Sequence, residues 1–358
     1  MIVLFTSNIA GGIVQFITQI VSELIDMGYE VTAFIPNEAK VSLDKKYIEN
    51  VRKYKKVKSI NRYDRNIRDL ATEIENLNPK WVWYFDNGIL STEIGLNLNG
   101  KVHQILTMHD AGGAHPSNNN SIRKKIHRLF EYRMSKSFEK RVEKVLVLSE
   151  ESKKKYINLN PDFTAKAMKM NLGAHVPNVT PRKVKEDIRM PYILFFGRID
   201  KYKGIENLLK AYAKYAGKYK LVIAGNGKLS LSEEDLIKKE PRVTLINRYI
   251  EDCEMLWLFE NSKALILPYL EATQSGIIPI AYKYSKPVVV SSVDGLTQFV
   301  VDKKTGFICK SSFEYIKAFT WLEEEDTYKK MQEACKAYYN DKLEWKNNLN
   351  RLLFELKK

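Results

Sequence analysis

Residues 192–205 read YILFFGRIDKYKGI, and this stretch decides the fold class. The five consecutive apolar residues Tyr192–Phe196 are typical of a strand that is buried on both faces of a parallel sheet. Gly197 then opens a short polar loop, and a helical pattern begins at about Gly204. A strand, a glycine turn and a helix form the first half of a βαβ unit, so we predict an α/β domain in this part of the chain.

The same alternation of short apolar runs with helix or loop signals extends in both directions. Between the two series, residues 176–183 (VPNVTPRK) contain two prolines and no hydrophobic period, which favours a linker. We therefore predict two Rossmann-like, doubly wound parallel-sheet domains, over residues 1–178 and 184–340. The predicted strands are Ile2–Phe5, Glu30–Ile35, Trp81–Phe85, Val102–Thr107, Val145–Leu148, Tyr192–Phe196, Leu221–Ala224, Val243–Ile246, Ala264–Leu267 and Val288–Val290.

Length and composition fit two globular cores. The chain has 358 residues, of which 44% are hydrophobic and 28% are charged, and this excludes collagen-like, disordered and disulfide-scaffold proteins. Its three scattered cysteines favour a reducing compartment, and we expect a cytoplasmic protein. The N-terminal residues are typical of a buried strand rather than of a signal peptide, and no run of about 18 apolar residues occurs.

The chain is strongly basic, with 58 Lys and Arg against 43 Asp and Glu and a formal net charge of +15. In the first half this excess lies in two segments. Residues 45–68 contain ten basic and two acidic residues, and residues 121–155 contain twelve and five. Such an excess indicates an anionic partner, which could be a nucleic acid, a membrane surface or a phosphate-bearing ligand.

The second basic segment also has a helical hydrophobic period. Two interpretations remain open: a solvated helix with a core-facing stripe, or a basic amphipathic helix near an anionic membrane surface. On the second interpretation Arg123, Lys124, Lys125 and Arg128 contact the membrane or acceptor. The apolar residues, spaced by three and four, are Ile122, Ile126, Leu129, Phe130, Met134, Phe138 and Val142.

Two loops of the first half could carry chemistry. Gly11 and Gly12 follow the first strand and precede a helix, which suits either a ligand loop or a plain tight turn. The stretch lacks a GxGxxG pattern and an acidic residue after the second strand, which excludes the dinucleotide fingerprint. His109 beside Asp110 at a strand end is either an acid–base or hydrogen-bonding group or a satisfied surface histidine.

The loops of the second half contain more candidate ligand-binding residues. Arg198 and Lys203 flank a strand-to-helix turn, and two cations beside a helix N-terminus predict a diphosphate clamp. Residues 225–227 form another glycine turn after a strand. Glu271 follows a further strand and suits sugar hydroxyls, while backbone N–H groups near Ser275 suit a phosphate.

Taken together, the order and spacing of these loops resemble the retaining GT-B glycosyltransferases of family four, over essentially the whole chain. The resemblance implies two Rossmann-like domains facing a cleft. It also implies that residues 341–358, with Trp345, Leu349, Leu352 and Phe354, form a helix that crosses back to the N-terminal domain. The segments on which the resemblance rests are Gly11-Gly12, His109-Asp110, residues 147–150, 197–198, 203–204, 208–211 and 222–227, the Glu271 loop, and residues 286–289, 295 and 305–307.

The resemblance also implies roles for individual residues. Arg198 and Lys203 would neutralise the diphosphate of a nucleotide-sugar donor, and Glu271 would hold a hydroxyl of the donor sugar. His109 would lie near the transferred sugar or the acceptor. The further donor contacts that the resemblance implies are Gly11, Gly12, Gly197, Asn226, Gly227 and Gln274, the backbone N–H groups of Ser275, Gly276 and Ile277, and, beside the base, Arg248, Tyr249 and Ile250.

The implied reaction is the transfer of a hexose-type sugar, with retention, from a UDP- or GDP-linked donor to a glycan or lipid-linked acceptor. No metal ion or other cofactor is needed, because Arg and Lys take the metal's place and a phosphate oxygen takes the acceptor proton. Such an enzyme would serve bacterial surface polysaccharide synthesis, at the inner face of the cell membrane.

One departure matters. Position 279 is Pro, where the family usually has a second glutamate that holds the ribose, and Gln298 stands where the pattern often has Glu. Because Arg198, Lys203 and Glu271 are intact, we interpret this as a subfamily variant. The alternative is a non-catalytic GT-B-like partner or stabilising subunit of another glycosyltransferase. No nucleic-acid motif accompanies the charge, so we expect no nucleic-acid partner.

Overall fold

The computed structural model describes residues 1–9, 12–41, 43–55, 64–109, 122–272 and 274–356, with the backbone alone over 122–128. Contacts between residues divide the chain into two compact units. Unit 1 comprises Met1–Asn171 and Leu349–Lys358, and unit 2 comprises Leu172–Asn348.

Unit 1 contains one parallel sheet flanked by helices. Its described strands are β1 (Ile2–Phe5), β2 (Val31–Pro36), β3 (Val51–Tyr54), β4 (Trp81–Tyr84), β5 (His103–Met108), β6 (Lys144–Val147) and β7 (Ala167–Lys169). Its described helices are α1 (Gly12–Asp26), α2 (Lys45–Ile48), α3 (Arg65–Asn76), α4 (Ile89–Asn97), α5 (Ile122–Arg141) and α6 (Glu150–Leu159).

Unit 2 repeats this plan. Its described strands are β8 (Tyr192–Phe196), β9 (Lys220–Gly225), β10 (Val243–Asn247), β11 (Leu265–Leu267), β12 (Val288–Ser291) and β13 (Gly306–Cys309). Its described helices are α7 (Ile205–Tyr212), α8 (Leu231–Lys239), α9 (Asp252–Asn261), α10 (Ile278–Lys283), α11 (Asp294–Thr297), α12 (Ser312–Trp321) and α13 (Glu325–Tyr338), followed by α14 (Trp345–Glu355), whose residues from Leu349 onward group with unit 1.

The strand order of each sheet is that of a doubly wound fold. It is β3-β2-β1-β4-β5-β6-β7 in unit 1 and β10-β9-β8-β11-β12-β13 in unit 2, and the paired strands are parallel. The order reverses between β1 and β4 and between β8 and β11. Ligands of such sheets bind outside the carboxyl ends of the strands at this reversal. The predicted fold class of two Rossmann-like parallel sheets is confirmed.

Each predicted strand is present, within about two residues at its ends. The apolar runs form strands because they lie between helices; residues 192–195, for example, are fully buried. The sequence interpretation missed β3, β7 and β13. Strand β3 lies at a sheet edge, where its exposed Arg52 and Lys53 are typical of an edge protected against further pairing.

Part of the basic excess of residues 45–68 therefore has a local structural use. The Lys53 ammonium donates to the carbonyl oxygen of Ala39 at 2.6 Å, and Arg52 and Lys46 form ion pairs with Glu73 and Asp26. These contacts attach β3 and α2 to the neighbouring elements, so these three basic side chains stabilise the fold and are not all available to an anionic partner.

Candidate functional site

The loops after β8 and β11 meet at the reversal of the unit 2 sheet. The two strands are neighbours, with Leu194 paired to Leu265. A Cβ atom placed on Gly197, just after β8, would lie 3.4 Å from Cδ1 of Ile277 and 4.0 Å from the Tyr269 hydroxyl oxygen. The structure thus brings the predicted Gly197 turn against the predicted 274–277 loop.

Glycines allow the first two loops of unit 2 to pack backbone against backbone. A Cβ atom on Gly225 would lie 1.8 Å from the carbonyl oxygen of Gly197, and one on Gly227 would lie 1.9 Å from that of Ile199. Any side chain there would force the loops apart. Asn226 is exposed, and its carbonyl oxygen accepts the Ile199 N–H group at 3.0 Å. The close approach alone explains why both positions are glycine.

Arg198 and Lys203 are cations without a carboxylate partner among the described residues. The Arg198 side chain is exposed, whereas the Lys203 ammonium lies over the Tyr269 ring, 3.6 Å from its centroid. Burial and, to a smaller extent, the charge of Arg198 lower the pKa of Lys203 to about 8, and the charge of Asp200 opposes the shift. Positive charge is therefore held at the end of β8 without being neutralised.

The loop after β11 offers acceptors and backbone N–H groups. Glu271 is exposed, and the buried Oε1 of Gln274 has no hydrogen-bond partner in the described part of the chain. Ser275 is buried, and its hydroxyl oxygen accepts a long hydrogen bond of 3.4 Å from the Ile277 N–H group. Gly276 is exposed. The loop ends where α10 begins, so anions are favoured there by the partial charge of the helix N-terminus.

The structure places two of the predicted base-side residues in structural contacts. The Arg248 guanidinium forms ion pairs with Glu186, at 2.9 Å, and with Glu254, at 2.7 Å, and the paired carboxylates raise its pKa further. The Ile250 side chain is buried, whereas that of Tyr249 is 74% exposed. Of the three side chains, that of Tyr249 is therefore the most accessible to a ligand.

In unit 1, His109 follows β5 and is part-buried. Its Nε2 atom lies 3.0 Å from the carbonyl oxygen of Phe85, and its ring meets Phe16 edge-on. A carbonyl can only accept, so we assign the proton to Nε2, which leaves Nδ1 as an acceptor in the neutral ring. Burial lowers the pKa of His109, which keeps the ring neutral near pH 7.

Asp86 is a buried site residue that the sequence interpretation missed. It follows β4, and its carboxylate accepts hydrogen bonds from the hydroxyl and N–H groups of Ser7, the Thr6 hydroxyl, the Gly88 N–H group and the Ser91 hydroxyl. These donors follow β1 or precede and open α4, so one carboxylate joins the two sides of the unit 1 reversal. The only sequence signal is an acidic residue after an apolar run.

The remaining predicted residues of unit 1 can be placed only in part. Gly12 begins α1, and a Cβ atom there would have no neighbour within 4 Å. Gly11, Asp110 and the side chains of Arg123, Lys124, Lys125 and Arg128 lie outside the described residues. Leu129, Phe130 and Tyr132 of α5 are 53%, 45% and 59% exposed, whereas Phe138 and Val142 are buried. Among the stripe residues whose side chains are described, those that are buried therefore lie near the end of the helix.

A cavity of about 510 Å³ lies where α7 and α8 begin. Lys201, Gly204 and Lys228 line it, and Arg198, Lys203 and Glu271 do not. Lys201 thus neighbours Lys203 in sequence but faces a different surface, which makes it a matched control for the two cations of the site.

We expect Asp86→Ala to destabilise the protein by at least about 3 kcal/mol, because several buried donors lose a charged acceptor. Urea denaturation measures the change. Asp69→Ala, which removes a largely exposed carboxylate, should change the stability by less than about 0.5 kcal/mol. Equal stability of the two variants would contradict the role of Asp86 as the link across the unit 1 reversal.

Sequence comparison identifies relatives of part of the chain. Residues 179–340 match the profile of the family described as "Glycosyl transferases group 1". A protein of Methanocaldococcus jannaschii, named as an uncharacterized glycosyltransferase, is 30% identical over 128 residues, which cover 34% of this chain and 32% of that protein. The match thus spans about a third of the length of this curated relative.

Two solved structures are similar over nearly the whole chain. A sucrose-phosphate synthase from Thermosynechococcus elongatus has a TM-score of 0.68 at 16% identity, over 99% of both chains. The Anabaena protein HepE in complex with UDP-glucose has a TM-score of 0.69 at 13% identity, over 100% of this chain and 99% of that one. The chain therefore has the GT-B fold, and in the sequence of residues 179–340 it resembles the group 1 glycosyltransferases.

Proposed function

We propose that this protein is a retaining glycosyltransferase that moves a hexose-type sugar from a UDP- or GDP-linked donor to a glycan or lipid-linked acceptor. The observation that carries the proposal is the un-neutralised pair Arg198 and Lys203 at the sheet reversal of unit 2. A nucleoside diphosphate would bring the negative charge that this pair lacks.

The chemistry follows from where charge develops. As the bond between sugar and diphosphate breaks, negative charge builds on the departing diphosphate. Arg198 and Lys203 would stabilise this charge together with the N–H groups of residues 275–277, and in this role they make a metal ion unnecessary. An oxygen of the departing phosphate would take the acceptor proton on the same face of the sugar, so the proposal needs no protein nucleophile.

Two acceptors would orient the sugar. The exposed Glu271 carboxylate, which follows β11 on the same loop as Gln274, would accept hydrogen bonds from donor sugar hydroxyls. The neutral His109 ring would use Nδ1 in the same way for the transferred sugar or the acceptor. Because its pKa is lowered, protonation of His109 should not affect activity between pH 7 and 8.

The comparisons support a nucleotide-sugar donor. HepE, which has the same fold, is in complex with UDP-glucose. The Methanocaldococcus jannaschii protein that matches part of this chain is named as a glycosyltransferase. The alternative is a non-catalytic partner of another glycosyltransferase. Such a protein would not have to bind a nucleotide, so nucleotide binding distinguishes the two functions.

We expect Arg198→Ala to lower the rate of sugar transfer by about 10²- to 10³-fold, because one group that stabilises the developing charge is lost. The measurement is transfer or slow hydrolysis with a panel of UDP- and GDP-sugars. The control Lys201→Ala removes a neighbouring cation that lines the cavity at the start of α7 and α8, which neither Arg198 nor Lys203 lines, and it should stay within about twofold of the wild type.

Two results would contradict the proposed activity. One is the absence of transfer and hydrolysis with every donor, accompanied by no thermal shift with UDP or GDP; this pair of results would favour the non-catalytic partner. The other is equal activity of Arg198→Ala and Lys201→Ala, which would exclude the proposed clamp.

Pro279 leads to a second prediction about the donor. It lies buried in the first turn of α10 and supplies no acceptor for a ribose hydroxyl. We expect 2′-deoxy-UDP and 2′-deoxy-GDP to bind within about threefold of UDP and GDP, because the hydrogen bonds of a carboxylate to the ribose are missing. Calorimetric titration measures the ratio. A loss above tenfold would show that another group holds this hydroxyl.

We also propose that α5 contacts an anionic membrane near a lipid-linked acceptor. The exposed Leu129, Phe130 and Tyr132 beside a run of basic residues support this peripheral contact. None of the helices in the described ranges combines the length and hydropathy needed to span a bilayer.

Flotation with vesicles containing anionic lipid tests this contact. Changing Arg123, Lys124, Lys125 and Arg128 to Glu should reduce the bound fraction at least fivefold, because about 1 kcal/mol of attraction is lost per basic residue. The control changes four exposed lysines of unit 2 to Glu, namely Lys214, Lys228, Lys310 and Lys336. Equal loss in both variants would indicate a non-specific charge effect.

A further inference from the structure

Lys203 is held differently from the other lysines whose pKa is lowered by burial. The ammonium groups of Lys53, Lys166 and Lys286 each donate to backbone carbonyl oxygens, at 2.6, 2.7 and 2.8 Å. In the described part of the chain Lys203 has no such acceptor and no carboxylate. Its ammonium lies over two rings instead, 3.6 Å from the Tyr269 centroid and 4.8 Å from the Tyr202 centroid.

We propose that Tyr269 and Tyr202 form an aromatic cage that holds the Lys203 ammonium without neutralising it, so that Tyr269 is a positioning residue for the donor diphosphate. The inference rests on the proposed function and adds to it a residue that neither the sequence interpretation nor the comparisons single out. The donor would contact Lys203, and Tyr269 would act through Lys203.

An aromatic cage suits this task better than an ion pair would. A carboxylate beside Lys203 would cancel its charge and would have to be displaced by the incoming diphosphate. The face of an aromatic ring attracts a cation through its quadrupole and remains in place when an anion binds on the other side. The nearby charged groups are Arg198 and Asp200 on the same loop, of opposite sign.

The backbone fixes the two rings relative to each other. The Leu270 N–H group donates to the carbonyl oxygen of Tyr202 at 2.8 Å, which ties the loop after β11 to the turn that contains Lys203. Gly204 has a φ of +66°, and a Cβ atom there would lie 2.0 Å from the carbonyl oxygen of Pro268. This close approach holds the turn against the loop. The two rings meet at 66° with their centroids 6.4 Å apart.

The ring of Tyr269, rather than its hydroxyl, makes the contact. The side chain is 2% exposed, and its hydroxyl has no hydrogen-bond partner among the described residues. Tyr269→Phe therefore keeps the cage and removes no described hydrogen bond, whereas Tyr269→Leu removes the cage. This pair of variants separates the ring from the hydroxyl.

The first measurement uses no nucleotide. The rate at which an acylating reagent modifies Lys203, followed by peptide mass spectrometry from pH 6 to 11, reports its titration. We expect a midpoint near pH 8 in the wild type and in Tyr269→Phe. In Tyr269→Leu we expect a midpoint about one pH unit higher, because water reaches the ammonium and this gain in solvation outweighs the lost attraction of the ring for the cation. An unchanged midpoint in Tyr269→Leu would overturn the cage.

The second measurement is calorimetric titration with UDP and GDP at pH 7 and pH 9. Wild-type affinity should fall about tenfold between these values as Lys203 loses its proton, and Tyr269→Phe should behave alike. Tyr269→Leu should bind about fivefold more weakly at pH 7 and change less than threefold with pH, because its lysine stays charged but is no longer positioned. Lys203→Arg should show no fall with pH.

These outcomes separate the two hypotheses. Nucleotide binding with the same affinity and pH dependence in Tyr269→Leu and the wild type overturns the role of the cage and leaves the proposed function intact. An equal loss in Tyr269→Phe and Tyr269→Leu also overturns it, because the hydroxyl would then be the active group. Absence of nucleotide binding in the wild type overturns the proposed function, and with it the cage's role in donor binding.

Discussion

A partly buried cation is destabilising when no carboxylate pairs with it, and the described loops of unit 2 are arranged around such a cation. Lys203 lies in a turn that packs through Gly204 against Pro268, on the loop after β11. The turn and the loop meet because β8 and β11 are neighbours in the sheet although they are far apart in the chain. The reversal of strand order thus gathers Arg198, Lys203 and the 274–277 loop in one place.

In unit 1 a different interaction links the residues on the two sides of the strand-order reversal. There the buried carboxylate of Asp86 accepts hydrogen bonds from residues that follow β1 and from residues that lead into α4. Groups of the protein itself use the hydrogen-bonding capacity of Asp86, whereas no carboxylate among the described residues pairs with the Lys203 ammonium. This contrast indicates that Asp86 fixes loop geometry, and that the charge available to an anionic ligand lies at the reversal of unit 2.

The sequence was sufficient to predict the elements that packing dictates. Apolar runs such as Tyr192–Phe196 became buried parallel strands, and the loops after them contain Arg198 and Lys203 as predicted. Strand β3 was missed because its Val51-Arg52-Lys53-Tyr54 sequence lacks an apolar run, as an exposed edge permits. Asp86 and Tyr269 were missed because their contacts across the sheet reversals, with Thr6 and Ser7 and with Lys203, join residues that lie far apart in sequence. The contacts of Arg248 with Glu186 and Glu254 likewise follow no recognisable spacing.

The central claim is that the Lys203 ammonium, with a lowered pKa and no carboxylate paired to it among the described residues, is held over aromatic rings until a diphosphate arrives. Proton uptake on nucleotide binding at pH 8.5 tests it most directly, through calorimetry in buffers of different ionisation enthalpy. With a free pKa of about 8, binding should take up about 0.8 proton per UDP or GDP, because the anion holds the ammonium in its charged form. The uptake should vanish in Lys203→Arg. Binding without proton uptake in the wild type would contradict the claim.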